Sequence, residues 1–171
     1  QSCRQRLGRA EAHYKSLADN WARLIEDDPY STSIRVDPDG TGGIWIVPRY
    51  EPLPEVFSLE FGEMLYQLRA ALDGCIYAIA VIETGKDPPP NENALEFPIT
   101  ESPDRFKKSA WKIEPLSDKF RPLLEAIQPY NATKQSPTTR ALSESLAILN
   151  DWARIDRHRR LHLMGSWASR A

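Results

Sequence analysis

The sequence predicts a mainly α-helical bundle with one β-hairpin inserted after its first helix. Three observations carry this expectation. Apolar residues recur at helical spacing over residues 3–28, 58–84 and from Pro137 to about Trp167. Two β-branched or aromatic runs, Tyr30 to Val36 and Ile44 to Val47, flank Asp37-Pro38-Asp39-Gly40-Thr41-Gly42-Gly43. The chain has 171 residues, 41% of them hydrophobic, enough to bury one core. Residues 1–171 therefore read as a single helical-bundle domain with the hairpin at about 30–49.

In the first helix Leu7, Ala10, Tyr14, Leu17, Trp21 and Leu24 alternate spacings of three and four, a narrow apolar seam that Asp27, Asp28 and Pro29 end. The hairpin glycines permit positive φ. They lack phosphate-loop spacing and a following Gly-Lys-Ser/Thr, so they do not form a nucleotide cradle. Pro48, Pro52 and Pro54 read as a linker. Ser58 is the expected cap of a helix over 58–84, with Glu60 and Glu63 near its start and Gly85 stopping it. Leu65, Leu68, Leu72, Ile76 and Ile79 form its apolar face. Phe97-Pro98-Ile99 reads as extended, and Ser102-Pro103-Asp104 caps a short helix through Trp111. Leu116 to Ile127 suggests another helix, closed by Gln128-Pro129-Tyr130. A polar loop, Asn131 to Ser136, precedes the final helix that Pro137 opens. Short connections favour antiparallel neighbours.

Composition excludes several classes. The formal net charge is −2, and charged residues make up 27% of the chain, so wholesale disorder is not expected. No uninterrupted run approaches the roughly 18 apolar residues of a membrane span, and no membrane association is expected. Cys3 and Cys75 make neither a disulfide scaffold nor a zinc knuckle, and their low number suits a reducing cytoplasm. The chain begins at Gln1 without methionine, so it reads as trimmed, with no targeting segment visible. No cofactor is expected. Between Glu51 and Glu101 ten acidic residues face only Arg69 and Lys86, whereas 151–171 holds five arginines against Asp151 and Asp156. The basic end suits phosphate, or the acidic segment of this chain or of a second copy.

Two apolar faces carry charges. On the last helix Leu142, Leu149, Ala153, Leu163 and Trp167 define a face, and Asp156 and Arg160 fall within about 20° of its centre. On the middle helix Arg69 falls about 40° from Leu65, with Asp73 at the edge of the stripe. Charges so placed must be paired. The expected solution joins the helices: Arg69 with Asp156, completed by Asp73 and by Arg160 or Arg157. Arginine suits this because its fork grips a carboxylate bidentately.

The run Arg154-Ile155-Asp156-Arg157-His158-Arg159-Arg160-Leu161-His162 holds the densest chemistry. His158 and His162 share a helix face but lack the glutamate of a His-Glu-x-x-His motif, so no metal is expected. Arg157-x4-His162 matches the signature of metal-independent ribonucleases built on helical bundles. Histidine serves as general acid or base near neutral pH, and arginine stabilises the pentavalent phosphate. His13 reads as a packing or surface residue. Tryptophans 21, 111, 152 and 167 read as core or interface anchors, with Ile44 and Trp45 a contact surface.

Three segments together resemble an uncharacterised family of bacteria and their phages. The first is Ser58 to Asp73, ending in Leu68-Arg69-Ala70-Ala71-Leu72-Asp73, where the family shows Gly-Asp-x-x-His-Asn-Leu-Arg-Ser-Ala-Leu-Asp-His. The second is Phe97-Pro98-Ile99 with Ile127-Gln128-Pro129-Tyr130. The third is Leu149-Asn150-Asp151 with Ile155-Asp156-Arg157-His158-Arg159, where the family shows Ile-Asp-Lys-His-Arg. The match spans about residues 30–165. It implies a polar centre of Arg69, Asp73, Asp156, His158 and Arg159. Tyr66, Gln67 and Gly74 replace the family's His, Asn and His, so chemistry resting on those histidines does not transfer. The bundle looks similar to the HEPN superfamily of toxin and phage-defence ribonucleases.

Two functions follow. In the first the chain is a metal-independent endoribonuclease or defence-type effector acting on RNA, with Arg157 and His162, or Arg154 and His158, as the catalytic pair. The catalytic groups would converge across a homodimer, with Arg69, Asp73, Asn150, Asp156, Arg159 and Arg160 as binding residues. In the second it is a non-catalytic interaction protein. Its charged cluster is then structural, and it binds a protein partner or a second copy through the Ile44/Trp45 hairpin or the seam from Leu7 to Leu24.

Overall fold

The computed structural model describes residues 2–26, 33–46, 54–134 and 136–158. The described chain is mainly helical: α1 (Ser2–Glu26), a hairpin of β1 (Ser33–Val36) and β2 (Gly43–Ile46), α2 (Glu55–Thr84), α3 (Pro103–Lys108), α4 (Phe120–Ala126) and α5 (Pro137–His158). The helix stop at 27–29, the linker prolines 48 and 52, and everything past His158 lie outside the described residues.

α1 and α2 run antiparallel, since contacts pair Arg6 with Gln67, His13 with Glu60 and Trp21 with Phe57. Only one edge of the α1 seam is covered. Ala10 is buried and Leu17 and Leu24 are half-buried, but Leu7, Tyr14 and Trp21 are 40–60% exposed. α2 starts three residues before the expected Ser58. Pro54, at φ −53° and ψ 137°, forms the boundary, and Glu55 supplies the first-turn acid that favours the helix dipole. Ser58 sits inside the helix. Gly85 ends it as expected, at φ +65° with its N–H on the Val81 carbonyl at 2.8 Å.

α2 is also long and apolar enough to cross a membrane by length and composition, which a count of uninterrupted apolar residues does not register. Here it contributes to two packed clusters. Ile76 and Ala80 lie in the larger one with Phe97, Phe106, Ile113, Leu116, Leu124 and Leu146. Phe61 and Leu65 meet Ala153 of α5, flanked by Leu17, Met64 and Leu149. On α5, Leu146 and Ala153 are buried while the expected core residue Leu142 is 48% exposed.

The segment between α2 and α5 departs most from expectation. α3 is capped by the Ser102 hydroxyl, which accepts from the Arg105 N–H, but it ends at Lys108. The Ser109 N–H turns onto the Arg105 and Phe106 carbonyls, and a 3₁₀ turn over Ala110–Ile113 replaces the last helical turn. Trp111 is 56% exposed, so it is not a core anchor. α4 begins only at Phe120, because Leu116 is drawn into the core by a 3₁₀ contact with Ile113. A 3₁₀ helix over Pro129–Lys134 occupies part of the expected polar loop.

Candidate functional site

Arg69 stands midway along α2 and is 9% exposed. The apolar stripe places it as the wheel requires, but its partners are not on α5. Its Nη2 donates to Glu96 Oε1 and to the Phe97 carbonyl, both at 2.6 Å, and lies 3.3 Å from Asp73 Oδ1. Asp73 accepts the Phe97 N–H at 2.9 Å. Lys112 donates to the other Glu96 oxygen at 2.5 Å. Arg69 Nη1 is buried without a hydrogen-bond partner among the described residues.

Gln128 repeats the device from the other side. It is fully buried, and its amide nitrogen donates to the Pro98 and Leu124 carbonyls at 2.9 Å. Its oxygen accepts from the Thr100 N–H at 2.8 Å and from the Thr100 hydroxyl at 3.1 Å. The stretch from Glu96 to Thr100 thus behaves as a strand without a sheet. Buried main-chain polar groups need partners, and here helix side chains supply them. The motif residues Arg69, Asp73, Phe97, Pro98 and Gln128 form one clamp.

Electrostatics in the clamp pull its two carboxyls apart. Burial raises Asp73 above the usual carboxylate range, against the opposing charge of Arg69 and the Phe97 N–H. Burial also works against the charge of Glu96, but the Lys112 hydrogen bond and the charges of Arg69 and Lys112 outweigh it and hold Glu96 low. Such a split occurs in acid–base sites. In this protein the contacts of these carboxyls are to Arg69, to Lys112 and to the Phe97 N–H.

The expected Arg69–Asp156 pair is absent. Asp156 belongs to α5 where it crosses Gly62, seven residues or about 10 Å along α2 from Arg69. A Cβ on Gly62 would lie 2.9 Å from both Asp156 carboxylate oxygens. Asn150 is half-buried on α5. Arg154 is exposed and 3.7 Å from Asp151. Arg157 and His158 continue α5 as backbone, and nothing is described of their side chains. Arg159, Arg160 and His162 lie outside the described residues. Tyr66 is 59% exposed, and a Cβ on Gly74 would lie 3.1 Å from the Cys3 sulfur.

His13 has a larger part than its sequence context suggests. Its Nδ1 lies 2.6 Å from Glu60 Oε2, and the Ser16 hydroxyl donates to Glu60 Oε1 at 2.8 Å. The His13 contact, then the Ser16 one, holds the Glu60 carboxyl below its usual range. The signal was available, since His13 and Ser16 share the face of α1 turned to α2. Among the described residues no group of three or more His, Cys, Asp or Glu is placed to hold a metal ion.

The fold and clamp define a helical-bundle protein with an inserted two-stranded hairpin. Comparison with protein-family models, curated proteins and solved structures finds no match to this chain.

Proposed function

We propose that this chain is a non-catalytic interaction module that engages a protein partner by strand addition at β2. The observation that carries the reading is the state of the hairpin. Ile34, Val36, Ile44 and Trp45 are 53–66% exposed. None of them belongs to either packed cluster. A lone two-stranded hairpin is marginal in water, and among the described residues these four side chains stay largely uncovered.

Among the described residues β2 pairs with β1 alone, and the ladder shows which of its groups face outward. The Asp37 N–H bonds to the Gly42 carbonyl at 2.9 Å, and the register pairs Arg35 with Ile44 and Ile34 with Trp45. Antiparallel pairs alternate, so the Trp45 N–H and C=O fall at the outer edge of β2. Exposed edges are normally blunted by charge, proline or bulges. Gly40 to Ile46 contains no charged residue and no proline, whereas β1 carries Arg35.

A photo-cross-linking amino acid placed at Ile44 tests the reading in producing cells. A discrete adduct is expected there, none from the same group at exposed Lys107, and none at Ile44 once Trp45→Pro removes the edge donor. RNA cleavage and growth arrest by the wild type, abolished by His158→Ala with His162→Ala, would establish the ribonuclease instead.

A further inference from the structure

We propose that Cys3 and Cys75 are the two halves of a redox staple, forming a disulfide that fastens the start of α1 to α2 when the protein meets a small-molecule disulfide such as oxidised glutathione. The two cysteines of the chain are far apart in sequence. The antiparallel packing of α1 on α2 returns one to the other.

Gly74 is the seat of the pair. A Cβ there would lie 3.1 Å from Cys3 Sγ, closer than heavy atoms comfortably pack. Glycine weakens a helix interior. At position 74 it leaves the room that the Cys3 sulfur takes, beside the residue that carries the second thiol. The two thiols interact directly. Partial burial, then the hydrogen bond it shares with Cys3, raises the Cys75 thiol above its usual range. Cys75 is exposed and Cys3 half-buried, so a small disulfide reaches the pair.

α1 is also thinly held. Ala10 is its one buried residue, and its polar links to α2 are Arg6 with Gln67 and His13 and Ser16 with Glu60. A covalent bridge in its first turn adds what the packing lacks, and it closes the stretch of chain that contains the hairpin.

The reaction is thiol–disulfide exchange. The Cys75 thiolate attacks one sulfur of oxidised glutathione, whose S–S bond breaks, and one glutathione leaves as its thiolate. The Cys3 thiolate then attacks the Cys75 sulfur of the mixed disulfide, and the second glutathione leaves. The two protein thiols are oxidised, the glutathione disulfide is reduced, and the two protons lost by the cysteines end on the two glutathiones.

Incubation of the full chain with excess oxidised glutathione, followed by intact mass and non-reducing peptide mapping, tests this. A single chain lacking two hydrogens, with the Cys3 and Cys75 peptides joined, is expected. Closing a loop of about 70 residues should raise the thermal midpoint by roughly 10 °C over the reduced chain. Cys3→Ser, treated alike, should stop at a glutathione adduct on Cys75 with no such rise. Gly74→Leu, which favours helix but fills the seat, should form the bridge at least about tenfold more slowly while circular dichroism confirms the fold. A chain with one glutathione on each cysteine, disulfide-linked dimers, or an unreacted chain overturns the proposal. A bridged chain with an unchanged midpoint overturns the staple, and Gly74→Leu bridging at the wild-type rate overturns the seat.

Discussion

Arg69 and Asp73, one turn apart on α2, hold opposite poles of a single residue: Arg69 donates to the Phe97 carbonyl at 2.6 Å and Asp73 accepts the Phe97 N–H at 2.9 Å. A helix thereby does for one extended residue what a neighbouring strand does in a sheet. Arg69→Ala would strip the Phe97 carbonyl of its donor and leave Glu96 with Lys112 as its one cation among the described residues. Breaking a buried charged pair from one side costs about 3–5 kcal/mol; because Glu96 is half-exposed, about 2–3 kcal/mol is expected. Urea denaturation checks this, and a loss under about 0.5 kcal/mol, the level of a bland surface change, would show the contact to be incidental.

Gln128 carries the other half of the clamp with four hydrogen bonds and no exposure. Gln128→Leu keeps the bulk and removes every bond, leaving the Pro98 carbonyl and the Thr100 N–H unpaired. Unsatisfied buried groups cost about 1–3 kcal/mol each. A fall in thermal midpoint of roughly 10 °C or more is expected, and an unchanged midpoint would count against the clamp.

Acid should act on the clamp with two signs. Glu96 is held low, so its contribution is present above the usual carboxylate range and is lost as pH falls through its depressed value. Asp73 is raised, so its contribution is present at low pH and is lost as pH rises through the raised value. Glu96→Gln should therefore shrink the stability difference between pH 7 and pH 3, and Asp73→Asn should enlarge it. The same direction of change in both variants would contradict this assignment.

Gly62 and Asp156 form the α2–α5 crossing. Alanine for glycine in a helix is ordinarily worth about 1 kcal/mol, but here the added Cβ meets both carboxylate oxygens at 2.9 Å. Gly62→Ala should be neutral or destabilising in the wild type and stabilising by about 0.5–1 kcal/mol beside Asp156→Ala. A double-mutant cycle with no coupling would place Asp156 elsewhere.

Periodicity made the long helices legible, because a repeating apolar stripe projects onto one face. It also placed Arg69 correctly inside that stripe. The choice of Asp156 as partner failed because helix-to-helix geometry was the only geometry the sequence offered. Glu96 and Phe97 belong to an irregular segment with no period to project. Gln128 was visible in Ile127-Gln128-Pro129-Tyr130, yet nothing in that string tells where the amide reaches. Ser58 looked like a cap because serine before an apolar run usually is one, while Pro54 ended the linker earlier.

Hydrogen exchange at the Phe97 amide tests the clamp most directly. With Asp73 as its acceptor, this N–H should exchange far more slowly than an open amide in the wild type, and Asp73→Ala should release it while amides deep in α2 stay protected. Fast exchange at Phe97 in the wild type, or slow exchange that survives Asp73→Ala, would contradict the assignment.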